Sequence, residues 1–167
     1  MDLPRFRTPF PLILGLGLCW ATPVMSAAIK SFAIFETRTP AGATSGRIYD
    51  KRTHVTITLD VQPLLNGQPD NLNDKRIDVY LLNARDNSGA LDPLRQCRSS
   101  WPAIALVGSM TFHLESRKTF TFTYPTAIPS ARIKVTDPNN DYGCSNDSFA
   151  ILDTPPSSPY TLQREND

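Results

Sequence analysis

The 167-residue chain has two His, three Cys and eight Gly, and its 17 Lys+Arg are balanced by 16 Asp+Glu. The near-zero charge and the lack of any Lys/Arg cluster leave no field to hold a polyanion, which excludes nucleic-acid binding as a leading function. Long helix-forming runs are missing and Pro is abundant, with 15 residues, which argues against an all-α chain. Gly-x-Ser-x-Gly, His-Glu-x-x-His, a Gly-rich phosphate loop and Cys-x-x-Cys are all absent. With so few His, nucleophilic catalysis has no constellation to work with, and the chain is read as a non-enzyme without a cofactor.

What is present begins with an address. Met1-Asp-Leu-Pro-Arg5-Phe-Arg7 is basic, Phe10 to Trp20 is apolar, and Ser26-Ala27-Ala28 ends in small residues. This is the layout of a secretory signal peptide over residues 1–28. The apolar stretch is shorter than the roughly 20 residues that span a bilayer, so no transmembrane segment is expected in the mature chain. The protein is expected to be exported, to the periplasm, the cell surface or the medium. Removal of the peptide takes Cys19 and leaves 15 charges of each sign, together with the pair Cys97 and Cys144. In an oxidising compartment that pair reads as a disulfide; a reactive thiol or a two-Cys metal site are the alternatives, and neither has a nearby His or an electropositive setting.

The period of the mature chain is two. Thr53–Val61 alternates with Val55, Ile57, Leu59 and Val61 on one face and His54, Thr56, Thr58 and Asp60 on the other. Arg76–Leu82, Met110–Leu114, Thr119–Tyr124 and Ala131–Thr136 repeat the pattern, and Ser31–Glu36 and Ser148–Leu152 bracket the set. Turn residues separate them, as in Pro40–Gly46, Asn66–Pro69, Asn87–Gly89 and Pro138–Asp141. The expectation is an all-β chain, an antiparallel sandwich of about seven to eight strands over residues 29–153. A Pro/Ser-rich linker and polar tail follow over 154–167.

Candidate site residues are few. His54 and His113 both fall on polar strand faces and read as solvated side chains. Asp137, Asn139 and Asp141 place oxygens at alternate positions, as a Ca²⁺ loop does. Gly143 comes one place late for such a loop, and Ser148 stands where a closing Glu belongs, so a polar turn is the favoured reading. Trp101 reads as a packing aromatic within the patternless stretch Ser88–Pro102. A carbohydrate- or Ca-binding module using Trp101, Tyr142 or Tyr160 is the alternative function.

Three segments toward the C-terminal end carry a resemblance: Arg117-Lys-Thr-Phe-Thr-Phe-Thr-Tyr124, Ala131-Arg-Ile-Lys-Val-Thr136 and Cys144-Ser-Asn-Asp-Ser-Phe-Ala-Ile151. With the opening Phe32-Ala-Ile-Phe-Glu36, Ala41–Gly46 and Arg76–Leu82, the chain resembles a module of large MshQ-like surface proteins of proteobacteria over about Ile29 to Asp153. The resemblance implies an immunoglobulin-like sandwich and a non-enzymatic role at the cell envelope. It also implies an association with mannose-sensitive-haemagglutinin-type pili, by adhesion or assembly, with protein or surface-glycan contacts as partners. Two departures accompany it: Ser116-Arg117 stands where the family has Gly-Arg, and the family continues into further domains after the last of these strands.

Overall fold

A computed structural model describes residues 27–155, together with Gly15, Gly17 and Pro23. The rest of the expected signal peptide, and the tail from residue 156 with Tyr160, lie outside the described residues.

All regular structure among these residues is β. One sheet is built on β3 (Ile57–Leu65): β1 (Lys30–Glu36) runs along one side, and β7 (Lys118–Phe122) and β4 (Gln68–Pro69) lie along the other. The second sheet runs β2 (Lys51–Arg52), β10 (Phe149–Leu152), β8 (Ile128–Thr136), β5 (Leu72–Asn83), β6 (Ala103–Glu115), with β9 (Tyr142–Cys144) also pairing β8. Every pairing is antiparallel except β2 against β10. The first, second and fifth long strands (β1, β3, β7) share one sheet, while the third, fourth, sixth and last (β5, β6, β8, β10) share the other. The chain therefore crosses between sheets repeatedly, and the architecture is an immunoglobulin-like β-sandwich.

Period-two alternation explains the core. Ile57, Leu59 and Val61 of β3, Ile77, Val79 and Leu81 of β5, and Ile133 and Val135 of β8 are essentially inaccessible and form one cluster with Phe32, Ile34, Phe112 and Ile151. Burying each such side chain contributes about 1.5–3 kcal/mol, enough in sum to hold two sheets together. At Gly143 of β9 the two sheets approach closely: a Cβ there would lie 2.3 Å from the Phe32 carbonyl oxygen and 2.5 Å from its nitrogen. Both are backbone atoms of β1 and cannot rotate away. Gly143→Ala should therefore push β9 from β1 and destabilise the domain by about 2 kcal/mol or more, read as a lower urea midpoint at unchanged slope.

The strand expected over Thr53–Val61 starts later. His54 adopts φ 60°, its N–H donates to the Tyr124 carbonyl at 3.0 Å, and Val55 is 49% exposed. Residues 53–56 turn the chain from β2 in one sheet to β3 in the other, so the alternation becomes structural only from Ile57. Asp60, expected on a solvent face, is 6% exposed, because residues 37–46 roof the outer side of this sheet over Phe35 and Leu64. Arg117 fastens that roof. Its guanidinium lies 4.7 Å from the Phe35 ring centroid, and Nε donates to Asp60 Oδ2 at 2.6 Å. Its other nitrogens reach the carbonyls of Thr37 and Thr39 at 3.1 and 2.7 Å.

The strand expected at Met110–Leu114 is the end of a 13-residue strand, β6. Leu114 does not join the apolar face: it is 70% exposed at φ 56°, one residue before the end of β6. Left-handed backbone disfavours a branched side chain that gains nothing from burial. Leu114→Gly is expected to raise stability by about 0.5–1 kcal/mol in thermal or urea melts. The edge strand β6 is uncharged from Ala103 to Met110, but its register against β5 shifts at four places, and such bulging turns an edge away from further pairing. The strands β2, β4 and β9 were not expected; at two or three residues each they are too short to show a period.

Candidate functional site

Alternation puts Tyr80 and Leu82 of β5, Arg132 and Lys134 of β8, and Tyr142 and Cys144 of β9 on the outer face of the six-stranded sheet. The connection between β5 and β6 folds back across this face. Asp92 holds its turn, accepting from the N–H groups of Leu94 and Arg95 at 2.9 and 3.0 Å, and the Cys144 N–H donates to the Arg95 carbonyl at 2.8 Å. Arg98 donates to the Asn87 and Gly89 carbonyls, and Ser100 Oγ donates to the Asp86 carbonyl at 2.7 Å. The sulfurs of Cys97 and Cys144 stand 2.05 Å apart, at disulfide distance. Leu82, Ala84, Cys97, Trp101 and Cys144 thus form a second buried cluster outside the sandwich.

Cations and aromatics alternate on top of it. Trp101 lies beneath the guanidinium groups of Arg132 at 4.5 Å and Arg98 at 5.9 Å, and Tyr142 has Lys134 at 4.8 Å and Arg95 at 5.0 Å. Contacts of this kind each contribute about 0.5–1 kcal/mol when exposed and more when desolvated. Arg95 is paired with Asp92 at 2.9 Å. Among the described residues, Arg98, Arg132 and Lys134 are in no ion pair with a carboxylate. Burial pushes the Arg132 pKa down; the Asp147 carboxylate draws it back up and the Arg98 charge lowers it further. Arg132 nevertheless keeps two bonds to the Ser145 and Asn146 carbonyls, at 2.6 and 2.7 Å.

Five buried side-chain polar atoms among the described residues have no hydrogen-bond partner, and three belong to this cluster: Arg95 Nε, Trp101 Nε1 and Arg132 Nε. All three are donors. Such groups are rare in folded proteins and require a cause. Of these three residues Trp101 also lines a cleft of about 310 Å³, bounded by Arg98, Ser99, Trp101, Lys134 and Tyr142 above the Cys97–Cys144 pair. A second, more open cleft of about 500 Å³ begins on the far side of Arg132, where Arg47 and Tyr49 face Asp50 and Asp147.

The expected site residues take separate places. Trp101, 6% exposed, is a packing residue whose ring contacts guanidinium groups, and it offers no open platform. Asp137 is buried and caps its own turn: Oδ1 accepts from Asn139 N at 2.8 Å and Asp141 N at 3.0 Å, and Oδ2 lies 4.0 Å from Lys75 Nζ. Asn139 is exposed, and Asn140 supplies the left-handed residue of the turn at φ 63°. Gly143, read as a misplaced calcium-loop glycine, serves the approach to Phe32. His54 sits against Tyr124 in the turn before β3, while His113 is exposed on β6 with Nδ1 3.2 Å from Asp74, so only His113 lies in a sheet. No group of three or more His, Cys, Asp or Glu among the described residues could hold a metal ion. Also among them, no helix is long and apolar enough to cross a membrane.

Sequence reading did not bring Arg95, Arg98, Arg132 and Lys134 together. Arg132 and Lys134 were legible as the outward positions of an alternating strand; the return of the loop carrying Arg95 and Arg98 was not.

No protein-family model matches the chain, and neither does any curated protein. Among solved structures it is similar to the CARDB domain of the PF1109 protein from Pyrococcus furiosus, determined in complex with di-metal ions. The TM-score is 0.32 at 12% identity, over 76% of this chain and 89% of that one.

Proposed function

We propose that this chain is an exported, non-enzymatic β-sandwich module of a cell-envelope or pilus-associated surface protein, structural or adhesive in role, which works by contact. The observation that carries the reading is the pair of cations, Arg98 and Lys134, that lines the cleft above Cys97 and Cys144 with no ion-pair partner among the described residues, beside the unpaired Trp101 N–H. A fold that spends a 19-residue connection and a cysteine pair on fixing such a face is built to present it. The signal-peptide layout and the resemblance to MshQ-like proteins support the same reading from the sequence, and a persistent disulfide suits an oxidising compartment. A carbohydrate platform at Trp101 or calcium at Asp137 fits less well, because the indole is covered by guanidinium groups and the carboxylate is committed to its turn.

Fractionation of cells carrying a tagged chain tests this. The protein should be recovered from the periplasm, outer membrane or medium, with Cys97 and Cys144 unreactive to maleimide until reduced, and its deletion should weaken surface attachment or piliation. Recovery from the cytoplasm with two free thiols would overturn the proposal.

A further inference from the structure

We propose that the cleft above Cys97 and Cys144 is a receptor for an acidic peptide segment of a protein partner, whose carboxylates are held by Arg98 and Lys134. This deepens the contact-module reading and rests on it. The groups lining the cleft are the Arg98 guanidinium and the Lys134 ammonium, beside the unpaired indole N–H of Trp101, and they match carboxylate oxygens in charge and in hydrogen-bonding sense. Among the described residues neither cation is in an ion pair with a carboxylate, although the chain carries nearly as many acidic as basic residues. Charge complementarity therefore calls for an acidic occupant.

The choice of peptide over acidic sugar follows from the aromatics. Pyranose recognition uses an open ring face, and both rings here are already engaged by cations, Trp101 by Arg98 and Arg132 and Tyr142 by Arg95 and Lys134. The cleft, about 310 Å³, is sized for one or two acidic side chains. It opens on a sheet face, so an extended backbone can cross it.

The oxidised domain can be titrated against fluorescently labelled octaglutamate by anisotropy at low salt, with octaglutamine and an oligogalacturonate of equal charge as comparisons. Lys134 is the decisive position, because it makes no hydrogen bond among the described residues and its loss should leave the loop in place. Lys134→Gln should weaken octaglutamate binding about tenfold and Lys134→Glu should abolish it, with far-UV dichroism unchanged and thermal melting lowered by only about 2–4 °C through loss of the contact with Tyr142. Arg76→Gln, an exposed position of β5 away from the cleft, should have no effect. Binding should also fall steeply with added salt. Equal affinity for octaglutamine, equal loss in Arg76→Gln and Lys134→Gln, or tighter binding of the oligogalacturonate would each overturn the proposal. An envelope protein that ignores octaglutamate would sink this ligand alone, whereas cytoplasmic recovery would sink the reading beneath it.

Discussion

Replacing Arg117 by alanine is expected to lower the stability of the domain by about 3 kcal/mol or more, measured by urea denaturation of the purified protein. Asp60 is buried in the middle of β3, and its two oxygens are held by Arg117 Nε at 2.6 Å and by the Thr119 hydroxyl. Removal of the guanidinium leaves a buried carboxylate with one neutral donor. The same guanidinium covers the Phe35 ring and binds the carbonyls of Thr37, Thr39 and Pro40, so its loss also releases the roof over that side of the sandwich. Breaking a buried pair from one side is more damaging than replacing both partners by well-packed apolar groups. Asp60→Leu combined with Arg117→Met should accordingly recover part of the loss. If Arg117→Ala instead falls within about 0.5 kcal/mol of the parent, Asp60 and the roof are held by other means.

Loss of the Cys97–Cys144 linkage should have an effect of similar size but different distribution. The cysteines are 47 residues apart in sequence, and cross-linking a loop of that length stabilises by about 4 kcal/mol in the chain-entropy model, with about 2–4 kcal/mol typical of measured cases. Cys97→Ala combined with Cys144→Ala should lower Tm by about 10 °C in this size range. Because the linkage joins the β5–β6 connection to β9 outside the main core, hydrogen exchange should accelerate first in residues 84–102 and at Tyr142. Protection at Ile77, Val79, Ile133 and Val135 should persist until global unfolding. Simultaneous loss of protection in both regions would place the linkage within the cooperative core.

Much of the sandwich was legible because two-residue alternation reports directly on a sheet with one apolar face. Ile77, Val79 and Leu81 of β5 and Ala131, Ile133 and Val135 of β8 are buried as their pattern predicts. The misses share one cause. Both outer faces are partly roofed by irregular segments, residues 37–46 over Phe35 and residues 84–102 over Leu82, and a roofed position obeys neither rule of the alternation. Asp60, on the polar face of its alternating segment, is therefore buried. Val55 and Leu114 failed for a different reason: each has left-handed backbone or follows a residue that does, where the chain crosses between sheets and hydrophobicity carries no directional information. The candidate surface arises where two segments distant in sequence meet. Only the cysteine pair hinted at that meeting.

Contact through the outer face of the six-stranded sheet, as proposed, can be read in intact cells with a photo-reactive amino acid placed at Ser99, at the cleft, or at Thr121, exposed on β7 of the opposite sheet. Irradiation should give a discrete adduct from position 99, lost when Lys134→Glu is added, and none from position 121. Adducts of equal yield from both positions, or none from position 99, would contradict it.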